Sequence, residues 1–404
     1  MAPIFYQGFF KMRFSFIVQM MLSLAFVAIA GCFNLGQSPV IPSPVTVATP
    51  EPPQKIMDKA RVRVTTILKT DGGPPVERNV YYPGGIAIGT QGNLYVSDGT
   101  SRVLSIDAAG HLQEVAGMAF RLPWRPWEGG FADGTGKDAR FNYPAGLVVD
   151  ASGDVIVADA GNHRIRKVTP EGRVTTLAGS GVQGAQDGVG LAAQFNRPSQ
   201  LIIDASGSIF VSEWHGHRIR RLDLDGTVTT IAGTGEQGFA DGPVRQAKFN
   251  RPQGLALGLD GSIYVADSDN YRIRRIFGGM VTTVAGDGTR GFNDGSALKA
   301  KFGSLGGLIR MRDGDLIVAD SDYDCIRRVS AAGQVTTIVG GGTYRKPRIG
   351  ADEFDGFNES GYVDGDERTA RFYVPLAMAV DSSEKNIYVC DSANDAIRQI
   401  TFLR

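Results

Sequence analysis

Cysteine is nearly absent from this chain: 404 residues carry only Cys32, Cys325 and Cys390, too few for a disulfide framework to hold the fold. Net charge is absent altogether, with 42 basic and 42 acidic residues, so no summed field draws the protein toward nucleic acid or an anionic membrane surface. Histidine numbers four and tryptophan three, so each has to be placed individually. No GxSxG elbow, P-loop, HExxH or CxxC motif occurs, so no catalytic residue can be assigned and no cofactor is expected, although an enzyme without such motifs is not excluded.

What the chain has in excess is glycine, 53 residues, nearly twice the usual share of about 7 %. With 42 % hydrophobic residues, that mixture favours many short strands joined by tight turns around a sizeable core.

Lys11 and Arg13 precede an apolar run from Phe14 to Ala30 that ends in Ile29-Ala30-Gly31-Cys32. This is the layout of a signal peptide, and it resembles a bacterial lipoprotein signal. The resemblance implies cleavage after residue 31 and acylation of Cys32, with Met12 an alternative start to Met1. An uncleaved membrane anchor is the competing reading, although a run interrupted by Gln19 is short for a bilayer span. Residues 32–60 hold Pro39, Pro42, Pro44, Pro50, Pro52 and Pro53, and proline-rich chain of this kind makes a semi-rigid tether. The expected location is the bacterial cell envelope. Phe33, where the sorting rule for inner-membrane retention wants aspartate, directs the protein to the outer membrane if the organism is Gram-negative.

From residue 94 onward one motif recurs: an apolar run, an acidic residue, a short polar turn, then an aliphatic, arginine-rich segment. The acidic position falls at Asp98, Asp159, Glu213, Asp267, Asp320 and Asp391, spaced by 53 or 54 residues apart from two longer intervals. A period this long with only strand-like segments inside reads as propeller blades. In the third copy four strands fit: Leu201–Ile203, Ile209–Ser212, Ile219–Leu222 and Val228–Ala232, hereafter strands a to d. The fourth-strand sequence VTTxxG recurs at 174–179, 228–233, 281–286 and 335–340, weakly as LQEVAG at 112–117, and once out of order as VTTILK at 64–69. The chain ends after the sixth strand c, so the N-terminal strand is expected to complete the last blade, removing exposed sheet edges. The expected fold is an all-β, six-bladed propeller of four antiparallel strands per blade over residues 61–404.

The segments VADAGNHRIRKV (157–168) and VADSDNYRIRRI (265–276), with the loops GFADGTGKDARFNYPAGL (130–147) and GFADGPVRQAKFNRPQGL (238–255), resemble the NHL-repeat family, whose members are commonly six-bladed propellers. The resemblance implies the fold and says little about activity, because function lives in sites grafted onto such scaffolds.

Strand alternation puts the b–c and d–a loops of every blade on one face. Both insertions, 119–130 and 341–360, fall there too, and long loops on a rigid scaffold are where binding usually resides. The first insertion carries Trp124, Arg125 and Trp127, types that dominate binding hot spots, with packing inside the ring as the alternative. The second carries Tyr344 in a basic run that its own acidic residues can neutralise. An acidic residue repeated six times is not a single active site, so Asp98, Asp159, Asp267, Asp320 and Asp391 are expected to accept backbone N–H groups within the b–c turn. The third copy breaks the pattern with SEWHGHR (212–218). Glu213, Trp214, His215 and His217, with His163 of the second copy, form the remaining ligand-face candidates. Glu213, His215 and His217 are also weak candidates for a divalent metal, since imidazole and carboxylate are suitable ligands, although the spacing matches no metal motif. Cys325 and Cys390 fall in adjacent blades, where either a disulfide or two buried thiols is consistent with the sequence.

These features lead to the expectation of a lipid-anchored platform that binds a protein, peptide or glycan through its long-loop face. The alternative is a lactonase- or lyase-like propeller enzyme with a metal in the channel.

Overall fold

The computed structural model describes residues 61–69, 79–119, 129–341 and 361–403. All lie in one compact unit, Pro53–Arg404. Cys32, Trp124, Arg125, Trp127 and Tyr344 fall outside the described residues.

Six antiparallel sheets follow one another around a ring, five of them with strands a to d in sequence order. Blade 2 is typical: Pro144–Val149, Val155–Asp159, Arg164–Val168 and Arg173–Ala178. In blade 3 the strands start one to three residues earlier than the sequence suggests, at Pro198, Arg218 and Thr227 for a, c and d. The difference arises because loop residues before the hydrophobic run continue the ladder, as in the Pro198↔Glu213 pair. Strand a of each blade packs against strand a of the next, and blade 6 meets blade 1, closing the ring.

Closure is made by the N-terminal strand Arg61–Lys69, which pairs antiparallel with the C-terminal strand Ala396–Leu403 from Arg61↔Leu403 to Lys69↔Ala396. Val62 and Val64 are buried in the cluster between blades 5 and 6. Six hydrophobic clusters occupy the six interfaces between neighbouring blades. The core is therefore shared between blades, and no blade buries its own apolar face alone.

Five blades have five strands, not four. In each, the d–a loop entering the blade contributes a two-residue strand that pairs with strand d, for example Gly134–Thr135 with Arg173–Val174. Blade 1 keeps four. The final glycine of VTTxxG is required locally: Gly179 has φ +101°, and a Cβ there would lie 2.5 Å from the carbonyl of His163.

Candidate functional site

The repeated carboxylates are buried, and five of the six do something other than close their own turn. Only Asp98 accepts backbone N–H groups from its own b–c turn, those of Thr100 and Arg102. Asp159 instead accepts the N–H of Asn142 from the d–a loop at 2.8 Å and the guanidinium of Arg166 at 2.6 Å. Arg166 reaches on to Asp133 of that loop at 2.7 Å. The same clamp joins Glu213, Arg220 and Asp187; Asp267, Arg274 and Asp241; Asp320, Arg327 and Asp294; and Asp391, Arg398 and Asp364. Each arginine also lies over a loop phenylalanine, such as Arg166 at 5.2 Å from the Phe141 centroid. A buried guanidinium is tolerable only when paired and hydrogen-bonded, so these clamps pin the d–a loops of blades 2 to 6 down to their blades. In blade 1 Leu104 occupies the arginine position and Arg102 pairs with Asp98 directly. The expectation of turn closure was too local: the acceptors face a loop some seventeen residues back in sequence.

Within the clamps burial raises the carboxyls, and their turn donors differ from blade to blade. Asn162 and Asn270 donate to Asp159 and Asp267, and burial lifts those carboxyls to about 6. Blades 3 and 5 have Gly216 and Tyr323 at that position, and burial lifts Glu213 and Asp320 to about 7. Glu213 Oε2 is buried without a hydrogen-bond partner among the described residues.

The ligand-face histidines are likewise committed. His163 Nδ1 accepts the N–H of Arg197, and His217 Nδ1 accepts that of Arg251, both at 3.1 Å. Asp324 and Asp395 hold the N–H groups of Val374 and Tyr82 in the same way at 2.8 and 2.7 Å. Each bond runs from the b–c turn of one blade to the entrance of strand a in the next. The entrance residues Tyr82, Tyr143, Arg197, Arg251 and Val374 all have φ between 44° and 53°, although each precedes proline, where helical conformations are disfavoured. Such strain of roughly 1–3 kcal/mol per residue persists only where the surroundings fix it, and it gathers at functional sites.

The backbone of this ring repeats at five of its six entrances, Ser304 being the exception, but its side chains do not. Tyr82, Tyr143, Arg197, Arg251, Ser304 and Val374 occupy six equivalent positions at the axial mouth of the long-loop face. Trp214 projects beside them, stacked on His215 at 4.8 Å, with Arg251 at 4.9 Å and Arg197 at 5.6 Å from its ring centroid. Arg197 also lies 5.6 Å from the ring of Tyr143. His163, His215 and His217 all titrate below the usual imidazole range, first through burial and then through the neighbouring cations. Burial raises Tyr82 and Tyr143. At neutral pH the histidines and tyrosines are therefore uncharged.

Tyr82, Tyr143, Arg197, Gln200, Trp214 and Gln253 line a cavity of about 90 Å³ at this mouth. Its floor is made one level below, where the six a strands converge. A Cβ at Gly85, Gly146 or Gly254 would meet a neighbouring carbonyl at 2.3–2.6 Å, and only Ala377 and Gln200 carry side chains at that level. The Gln200 amide crosses to the Gly84 carbonyl of blade 1 at 3.5 Å. It separates the mouth from a second cavity of about 440 Å³, lined by the a strands of all six blades.

Sequence reasoning found Trp214, His163, His215 and His217 but passed over Tyr82, Tyr143, Arg197 and Gln200. The available signal was the residue before the strand-a proline, which varies while its neighbours repeat. Glu213, His215 and His217 do not converge on a metal: the carboxylate is held by Arg220 and the Asn196 N–H, and His217 has its Nδ1 engaged. Among the described residues no three histidines, cysteines or carboxylates gather as a metal site. Cys325 and Cys390 are both buried free thiols.

A family model described as the NHL repeat matches residues 141–168 and 249–276. The chain is 28 % identical over 368 residues to Protein SUPPRESSOR OF QUENCHING 1, chloroplastic, of Arabidopsis thaliana, a match covering 83 % of this chain and 32 % of that protein. It is 28 % identical over 290 residues to NHL repeat-containing protein 2 of Bos taurus, covering 64 % of this chain and 38 % of the other. The chain thus spans about a third of the length of these curated relatives. An auxiliary nutrient binding protein from Bacteroides thetaiotaomicron superposes with a TM-score of 0.61 at 16 % identity, over 86 % of this chain and 78 % of that one.

Proposed function

For a chain that carries NHL repeats on a closed six-bladed ring, we propose the role of a lipid-anchored, extracytoplasmic binding platform whose ligand seats at the axial mouth of the long-loop face. The observation that carries this reading is the ring of non-repeating side chains, Tyr82, Tyr143, Arg197 and Arg251 with Trp214, on a backbone that repeats from blade to blade. Scaffold positions keep one residue type, as the clamp arginines do in blades 2 to 6; positions that differ on a shared backbone are free to read a ligand. The insertions carrying Trp124, Arg125, Trp127 and Tyr344 leave and rejoin the chain on this same face, and in this reading they extend the contact surface. The solved nutrient-binding relative shares only the fold, so its named role lends a precedent and no residue assignment.

The anchor belongs to the same proposal. Acylation at Cys32 and the proline-rich segment behind it would hold the ring off an envelope membrane, in the outer membrane if the cell is Gram-negative. A hydrolytic or lyase-type reading needs a carboxylate on the axis to hold a metal, and Glu213, which the sequence offers for it, is instead buried in a clamp.

The test is an array of glycans and peptides probed with the full chain, beside a Tyr143→Ala/Trp214→Ala variant and a Trp124→Ala/Trp127→Ala variant. Ligands retained by the native chain should be lost or weakened in the first and altered in the second. Retention of the same ligands by both variants would place recognition elsewhere.

A further inference from the structure

Among the described residues, the arginines at the b–c turns and strand-a entrances are, with one exception, satisfied by the protein. Arg164 donates to the carbonyls of Asn162 and Ser180, Arg218 to those of Gly216 and Thr234, and Arg272 to those of Asn270 and Asp287. Arg251, the neighbour of the exception, is neutralised by Asp269 at 3.1 Å. Arg197 has no carboxylate and no hydrogen-bond acceptor for its guanidinium among the described residues. It lies instead 5.6 Å from the ring centroids of both Tyr143 and Trp214, within cation–π range, and its planar fork of N–H donors makes no hydrogen bond to the described residues. Its backbone is fixed as well, by the bond from its N–H to His163.

The cavity it lines contains no acidic residue, and Gln200 reaches across its floor to the Gly84 carbonyl. The three histidines around it are neutral, which leaves one positive charge there. We infer that Arg197 is the carboxylate-binding residue of the mouth, and that the ligand is an acidic saccharide of the hexuronic type. The carboxylate follows from the planar, two-pronged match between guanidinium and carboxylate. The hydroxylated ring follows from the rest of the lining, Tyr82, Tyr143, Ser199, Gln200 and Gln253, which offers aromatic surface and neutral hydrogen-bonding groups but no second charge. This inference rests on the platform reading and narrows its ligand.

The experiment is a calorimetric titration of the full chain with methyl β-D-glucuronide, methyl β-D-glucoside and N-acetylglycine, repeated with Arg197→Gln. Glucuronide should bind more tightly than glucoside by roughly ten- to a hundredfold, the span of a charge-assisted hydrogen-bonded pair, and Arg197→Gln should erase that difference while leaving the melting temperature near native. Equal binding of glucuronide and glucoside, an unchanged preference in Arg197→Gln, or no saturable glucuronide binding overturns the inference. N-acetylglycine binding as tightly as glucuronide, and through Arg197, overturns its saccharide part in favour of a peptide carboxylate. If these titrations fail while the array ligands still depend on Tyr143 and Trp214, the platform reading stands and the carboxylate assignment falls.

Discussion

His163 Nδ1 accepts the backbone N–H of Arg197 at 3.1 Å across the boundary between blades 2 and 3, and this one contact ties the scaffold to the mouth. It fixes the neutral tautomer that carries its proton on Nε2, holds Arg197 in a left-handed conformation, and sets the guanidinium between two rings. His217 does the same for Arg251. Aspartate performs the task in blades 5 and 6, so the two side chains should be interchangeable there.

Replacing His163 with alanine is expected to cost about 1–2 kcal/mol, the value of a lost hydrogen bond on a strained residue. His163→Asp, copying Asp324, should recover most of that in urea denaturation. An alanine variant as stable as the native chain would remove the latch from the account.

The latch also predicts a pH response. Burial and the adjacent cations lower both histidines in the folded chain, so near pH 6 the unfolded chain binds more protons than the folded one. The latch contribution is then complete above the unfolded value of about 6.5 and is lost as pH falls through the lower folded values. Melting temperatures of the native chain minus those of His163→Ala/His217→Ala should shrink across that window. A difference that stays constant would contradict the assignment.

The clamps should be the costliest surfaces to break. Arg274→Ala leaves Asp267 buried without its cation and is expected to cost about 3–5 kcal/mol, whereas Arg245→Ala, on the exposed loop of the same blade, should lie within about 0.5 kcal/mol of native. Equal effects would mean that the clamp does not hold the loop.

Blade 3 can be returned to the repeat. Glu213→Asp/Gly216→Asn restores the asparagine donor of blades 2 and 4, and it should bring the blade-3 carboxyl from about 7 toward the value of about 6 found there. A raised folded value contributes stability at low pH that is lost as pH rises toward it from the unfolded value near 4.3. The variant should therefore be the more stable of the two near neutral pH, by about 1 kcal/mol. A variant less stable at pH 7 would show that the departure at Glu213 is accommodated by packing alone.

The ring itself was legible in the sequence because its evidence is periodic. The displaced VTTILK segment sufficed to predict closure by Arg61–Lys69, since a strand d with no preceding a, b and c has only one place to go. The fifth strands and the clamps were not legible. Asp159 and Asp133 look like independent turn aspartates until Arg166 is seen to bridge them, and a buried ion pair between loop and strand leaves no local pattern. The mouth was half legible. Trp214 stands out because it breaks a repeat, but Tyr82, Tyr143 and Arg197 lie more than fifty residues apart and come together only because each opens a strand a at the axis. Gln200 reads as an ordinary polar residue until the close approach of the a strands at Gly85, Gly146 and Gly254 shows what surrounds it.

Hydrogen exchange of the full chain with and without an oligomeric glucuronide tests the central claim most directly. Binding at the mouth should slow exchange in residues 81–84, 142–145, 196–200 and 214–217, and this protection should vanish in Arg197→Gln. Protection confined to the opposite turns, 107–110, 150–153 and 204–207, would contradict the placement of the site on the long-loop face.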